Sequence, residues 1–215
     1  LGDVYKRQGN TWYGFDASGW MQTGWGIYNN TWYYFSASGA MQSGWLNLGN
    51  MWYYLRGDGS MATGWLNLGN TWYYLRRDGS MATGWLNLGN TWYYLDGENP
   101  EHPGMMAADQ IKEINGKYYG FDASGAMQTG WIKSAEGWYY ANTNGAITEG
   151  WQKINGKWYY LNPEKAGIMS TGWIRLGNNW YWLDNSGAMK TGWNNGYYLG
   201  SDGAMRTGWQ LIDNK

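Results

Sequence analysis

Between residues 85 and 94 the chain reads Trp-Leu-Asn-Leu-Gly-Asn-Thr-Trp-Tyr-Tyr. Side chains alternate across a strand, so this stretch sorts into two faces once it is folded about Gly89-Asn90. A two-residue Gly/Asn loop favours a tight β-hairpin. Folding there predicts the pairs Leu88 with Thr91, Asn87 with Trp92, Leu86 with Tyr93, and Trp85 with Tyr94. One face then carries Trp85, Asn87, Trp92 and Tyr94. The other carries Leu86, Leu88, Tyr93 and Leu95. No window shows apolar residues at helical spacing, so helices are not expected.

The same stretch recurs. Residues 44–63 and 64–83 differ only at Met51/Thr71 and Gly57/Arg77, and a third copy begins at Gly84. In-register Gly-Trp tryptophans follow at Trp25, Trp45, Trp65 and Trp85, and again at Trp131, Trp151, Trp173, Trp193 and Trp209. A unit of twenty residues cannot bury a core alone, and an isolated hairpin is marginal in water. The predicted fold is therefore all-β, a solenoid of about ten stacked hairpins whose Leu/Tyr faces form a continuous core. Each linking segment, such as 77–83, adds a Gly turn and one apolar Met.

The register breaks between copies. Residues 96–103 (DGENPEHP) form an insertion, and resuming the pattern afterwards places Gln110 at a tryptophan position. A smaller insertion lies in the 162–169 loop. Residues 1–8 do not match the repeat and are set aside as a frayed end or cloning remnant. The expected organisation is a first array over 9–95, a junction over 96–120 and a second array over 121–215.

Composition supports an unusual core. Trp 19 and Tyr 20 stand beside only 3 Phe, with 35 Gly, so aromatics must carry much of the burial. The formal net charge is -1, without a basic run, which gives no field for nucleic acid. No apolar run is long enough to span a bilayer and no N-terminal signal pattern is present. Cys is absent and His102 is the one histidine, so thiolate chemistry is excluded and a histidine metal site or triad is disfavoured. Asp58, Asp78 and Asp202 sit in Gly turns, where Asp serves local hydrogen bonding. Glu98, Glu101 and His102 cluster in the insertion and read as a solvated loop rather than an acid/base pair. The spacing of a calcium loop is absent.

Two indoles and a phenol on one face, with a nearby Met, resemble a cage. Aromatic faces carry negative quadrupole and attract quaternary ammonium groups without needing a carboxylate. The competing reading, that these rings are only core, is weakened because the Leu/Tyr face already supplies one. The pattern Thr-Gly-Trp-x6-Trp-Tyr-Tyr-Leu-x3-Gly-x-Met resembles the choline-binding, or cell-wall-binding, repeat of pneumococcal-type surface proteins and lysins, over essentially the whole chain from Gly9.

The resemblance implies a left-handed superhelix of hairpins with no cofactor. Its ligand would be choline or phosphocholine on teichoic and lipoteichoic acids. It implies a secreted chain held non-covalently on the Gram-positive cell wall, without nucleic acid or membrane insertion, and with choline-linked homodimerisation left open. Carried onto this sequence, with the hairpin pairing choosing the third ring, it gives six choline cages. They are Trp25/Trp32/Tyr54 with Met41, Trp45/Trp52/Tyr74 with Met61, and Trp65/Trp72/Tyr94 with Met81. Beyond the insertion come Trp131/Trp138/Tyr160, with Ile147 in place of Met, then Trp151/Trp158/Trp182 with Met169, and Trp173/Trp180/Tyr198 with Met189. Trp85 and Trp92 are expected to lack a third wall because of Gly120, and the next cage its first wall because of Gln110. Trp193, with Gly196 where the second Trp belongs, is expected to close the solenoid.

The leading expectation is a non-catalytic, multivalent wall-binding module. Two alternatives stand beside it. One is a carbohydrate-binding repeat array, since aromatic platforms also stack on sugars. The other is the targeting half of a cell-wall hydrolase whose catalytic domain lies outside this chain.

Overall fold

The computed structural model describes residues 5–9, 11–16 and 18–211. Among them the chain forms ten small antiparallel sheets of two or three strands, each built on one hairpin. The one helical element among the described residues is a 3-10 turn, Pro163–Lys165. The hairpin of Gly84–Leu88 and Thr91–Asp96 has the expected register, with Leu88 opposite Thr91, Asn87 opposite Trp92, Leu86 opposite Tyr93 and Trp85 opposite Tyr94. The turn explains why. Gly89 (φ 57°) and Asn90 (φ 73°) are both left-handed, as a two-residue turn matching strand twist requires.

Within each unit, several of the links that follow a hairpin do two jobs. Met61 bridges back to Leu55 of its own hairpin. Its N–H also donates to the Trp32 carbonyl of the preceding hairpin, at 2.8 Å. Met81 does the same to Trp52 at 2.7 Å and Met189 to Trp158 at 2.8 Å. Successive hairpins are thus stitched through backbone bonds at the methionines. The core is a thin column, one apolar residue per repeat. Phe35, Leu55, Leu75 and Leu95 are buried in the first part of the chain, Leu161, Leu183 and Leu199 in the second, and Ala62, Ala82 and Ala107 fill in from the links.

The turn glycine beside each methionine is fixed by two constraints. Gly79 has φ +82°, and a Cβ there would overlap the Met61 sulfur. Gly59 stands in the same relation to Met41, and Gly187 to Met169. A Gly79→Ala variant is expected to lose more than about 1 kcal/mol of stability, from left-handed strain and displaced Met61. Urea unfolding would show this, with Gly57→Ala, a neighbour in open space, as the near-neutral control.

The chain divides into two compact units, Leu1–Ala107 and Ala108–Lys215. Two expectations about the breaks need correction. Tyr5–Gln8, set aside as non-repeat, pairs with Thr11–Gly14 in hairpin register, Tyr5 opposite Gly14; residues 1–4 lie outside the described residues. Gln110 does not take a tryptophan position. The hairpin of Gln110–Ile114 and Lys117–Phe121 places Ile111 opposite Gly120, as Trp151 lies opposite Tyr160. The misreading arose because the left-handed residue, a glycine at Gly150, here sits one place earlier at Asp109 (φ 51°) than counting from the turn requires. Just after the insertion, Met105–Met106 adds a short third strand to the 84–96 hairpin, Leu95 opposite Met106.

Candidate functional site

Six of the Gly-Trp indoles, Trp25, Trp45, Trp65, Trp131, Trp151 and Trp173, each stand at the centre of a ring cluster. Trp25 meets Trp32 of its own hairpin edge-on, with centroids 6.3 Å apart and planes at 89°. It also packs on Tyr34 at 5.2 Å and on Tyr53 of the next hairpin at 5.0 Å. Edge-to-face contacts suit the ring quadrupoles, and two perpendicular indoles leave an open corner between them. The pattern repeats for Trp45 with Tyr73, Trp65 with Tyr93, Trp131 with Tyr159, Trp151 with Tyr181 and Trp173 with Tyr197, all at 4.9–5.1 Å.

The cross-hairpin ring is therefore the first Tyr of each pair. Tyr54, Tyr74 and Tyr160, expected as third walls, instead back the Trp of their own hairpins, Trp45, Trp65 and Trp151. Tyr94, Trp182 and Tyr198 likewise back Trp85, Trp173 and Trp193. The reason is parity. In the stack, the Trp face of one hairpin looks onto the Leu/Tyr face of the next, so the ring that reaches back must come from the opposite face. Tyr53 does and Tyr54 does not. The two faces are one interface, not a core and a spare surface.

The methionines shift by one unit for the same reason. Met61, not Met41, lines the cavity of about 340 Å³ formed by Trp25, Trp32 and Tyr53. Met81, not Met61, lines the cavity of about 290 Å³ with Trp45, Trp52 and Tyr73. Met169 lines that of Trp131, Trp138 and Tyr159, about 380 Å³, where Ile147 was expected. By backbone register Met106 replaces Met81 at Trp65, Met189 replaces Met169 at Trp151, and Met205, donating to the Trp180 carbonyl at 2.7 Å, replaces Met189 at Trp173.

A further cavity of about 240 Å³ escaped the sequence reading. Trp12, Tyr28, Tyr33, Phe35, Met41 and Asp58 line it. Tyr33 and Met41 stand in the spacing of Tyr53 and Met61, and the pairing of Tyr5–Gln8 with Thr11–Gly14 supplies the hairpin that precedes them. Conversely, the position after the insertion is closed. Ile111 and Tyr118 pack against Ile132, Tyr139, Ala141 and Ile147, and Tyr139 is buried. Ile147 donates its N–H to the Tyr118 carbonyl at 2.8 Å, as Met61 does to Trp32. This is a cage position filled by aliphatic core. An Ile111→Trp change is expected to overpack it, costing about 1–3 kcal/mol without adding a ligand site; calorimetry of unfolding and of choline binding reads both.

A turn group from the second hairpin along completes each rim. Asp58 borders the Trp12 cavity, Asp78 the Trp25 cavity, and Asn185 and Ser186 the Trp131 cavity. At the Trp45 cavity the insertion supplies Glu101, His102 and Pro103. That loop is held by Asn99, whose side-chain oxygen accepts from the N–H groups of Glu101 and His102 at 3.0 and 2.8 Å. The Ser80 hydroxyl and N–H both donate to Asp78, at 2.7 and 3.0 Å, and hold its carboxyl below the ordinary value. Burial pushes the Tyr73 phenol up, so that ring stays neutral. Among the described residues no group of three or more His, Asp or Glu is placed to hold a metal ion.

Comparison with known proteins identifies the repeat and the fold. Residues 62–102 and 148–193 match the choline-binding repeat. Residues 23–41, 43–61 and 129–147 match the putative cell wall binding repeat. The fold is similar to choline binding protein F of Streptococcus pneumoniae, solved in the presence of a peptidoglycan analogue, with 30% identity and a TM-score of 0.76 over 92% of this chain and 76% of that one. It is similar to the choline-binding domain of CbpL from the same organism, at 28% identity and TM-score 0.64, over 88% of this chain and 100% of that one. The modular autolysin LytC, also pneumococcal, gives 28% identity and TM-score 0.64, over 99% of this chain but 50% of its own. No curated protein sequence is significantly similar.

Proposed function

We propose, from the premise that this chain belongs to the choline-binding repeat family, that it is a multivalent, non-catalytic module holding a secreted protein on the Gram-positive cell wall through phosphocholine of teichoic or lipoteichoic acid. The observation that carries the reading is the cavity between Trp25, Trp32 and Tyr53 with Met61 beside it. Three ring faces and a thioether match a trimethylammonium group, which has no hydrogen-bond donor and gains from cation–π attraction and apolar contact. The same set recurs from hairpin to hairpin. A wall polymer repeats its ligand, so weak sites on one chain gain avidity. Calorimetric titration with choline, with a glucan oligosaccharide as control, tests this: heat with choline alone supports it, and heat with the glucan alone supports the carbohydrate reading.

A second reading concerns the parent protein. Since LytC is a modular autolysin matched over half its length, this chain fits the targeting part of a wall hydrolase equally well.

The rim carboxylate gives a pH prediction. Hydrogen bonds from Ser80 hold Asp78 ionised to below the ordinary carboxylate value of about 3.9 in the folded chain, so its attraction for a bound cation persists through neutral and mildly acid pH. It is lost only as pH falls through the lower folded value. Choline affinity is expected to be flat from pH 7 to about pH 5. In a Ser80→Ala variant, which removes the largest cause of the shift, the acid loss begins at higher pH. Titrations from pH 7 down to about pH 3, through the ordinary carboxylate value, check both curves.

A further inference from the structure

We propose that two groups of cages read different parts of the ligand: those of Trp131, Trp151 and Trp173 in the second unit select zwitterionic phosphocholine, while those of Trp25, Trp45 and Trp65 in the first take the bare choline cation as well or better. This rests on the cage reading above. The residue paired across from the second indole is uncharged in the four hairpins between residues 24 and 96, whereas in the hairpin before them Arg7 lies opposite Trp12. The uncharged residue is Ile27 opposite Trp32, Asn47 opposite Trp52, Asn67 opposite Trp72 and Asn87 opposite Trp92. In the second unit the paired residue is basic at every such pair: Lys133 opposite Trp138, Lys153 opposite Trp158 and Arg175 opposite Trp180.

Paired residues share a face, so each basic side chain lies on the cage side of its hairpin. The Lys133 ammonium stands 5.9 Å from the Trp138 ring centre and that of Lys153 stands 6.0 Å from Trp158. All three residues are exposed, and the Arg175 Nε donates to the Gly177 carbonyl at 3.2 Å.

The rims differ in the same sense. Asp78 places a carboxylate at the Trp25 cavity and Glu101 one at the Trp45 cavity, beside His102, which favours a cation and opposes a phosphate. The Trp131 cavity has uncharged Asn185 and Ser186 instead. Asp202, at the equivalent turn later in the second unit, is bridged by Arg206 at 2.7 Å. With a trimethylammonium in the cage, the two-carbon linker carries the phosphate out to the mouth. There a Lys or Arg makes a charge-assisted contact with it. Without a phosphate the same group only repels the bound cation. The two ligands therefore respond to these residues with opposite sign.

The test is calorimetry on the full chain with choline and with phosphocholine, for the parent, a Lys133→Asn/Lys153→Asn/Arg175→Asn variant, and the reciprocal Asn47→Lys/Asn67→Lys variant. The first variant is expected to lose about two- to fivefold in phosphocholine affinity per second-unit site, the size of an exposed ion pair, while choline affinity holds or rises. The reciprocal variant is expected to gain for phosphocholine and lose for choline. Equal shifts of both ligands, or none in either variant, overturn the proposal. Absence of choline heat in the parent would instead defeat the cage reading beneath it. Phosphocholine-bearing polymer and phosphatidylcholine vesicles then separate the sources. Capture of either by the parent, weakened in the first variant, supports the chemistry and names its origin; capture insensitive to the substitutions overturns it.

Discussion

A Trp32→Ala/Trp52→Ala/Trp72→Ala variant is expected to bind a choline-bearing polymer at least about 100-fold more weakly than the parent, with little change in unfolding. These three indoles are the exposed walls of consecutive cages, at 43%, 39% and 43% of full accessibility. Their truncation opens each corner while leaving Trp25, Trp45 and Trp65 packed between tyrosines. Each single loss should weaken one site modestly. The compound loss is larger because sites on one chain act on one polymer, where every later contact forms at high effective concentration. Surface plasmon resonance on a phosphocholine-conjugated polymer reads the affinity. A loss no larger than that of one single variant would show that the sites do not act together.

The second large effect is on stability. Leu75 has no exposure, and it bridges to Met81, whose N–H is bonded to Trp52 of the hairpin before. Tyr73 and Ala62 share its cluster, with Tyr54, Leu66 and Leu68 packed around them. A Leu75→Ala change is expected to cost about 2–5 kcal/mol. In a stack where each repeat is stabilised by its neighbours, the cavity loosens both adjoining interfaces. The Trp45 cage, whose third ring is Tyr73, should weaken with it. Chemical unfolding and choline titration of the same variant report the two consequences. A loss below about 1 kcal/mol would mean that the apolar column is not what holds the hairpins together.

The hairpins could be read from the sequence because their information is local. Gly89-Asn90 sets the turn, the turn sets the register, and alternation assigns every side chain to a face. What alternation cannot give is which face meets which across the stack. That depends on the direction in which hairpins pile up, a property of the chain path through the links. Alternation alone therefore points to Tyr54 and its equivalents, on the Trp face itself, whereas stacking brings Tyr53 from the opposite face. The methionines moved with them, since Met61 crosses back one hairpin to reach Trp32. Ile111 was hidden for another reason: with neither Gly nor Trp at its place, only the count back from the Asn115-Gly116 turn identifies it. The Trp12 cavity was missed because a strand without the repeat's signature still pairs in its register.

A crystal structure of the chain soaked in choline tests the central claim most directly. The account predicts a trimethylammonium group within about 6 Å of the ring centres of Trp25, Trp32 and Tyr53, beside Met61, and the same arrangement in the cages of Trp45 and Trp131. It also predicts no such group at Ile111 and Tyr118. Empty aromatic corners at millimolar choline, or a cation seated elsewhere on the chain, would contradict it.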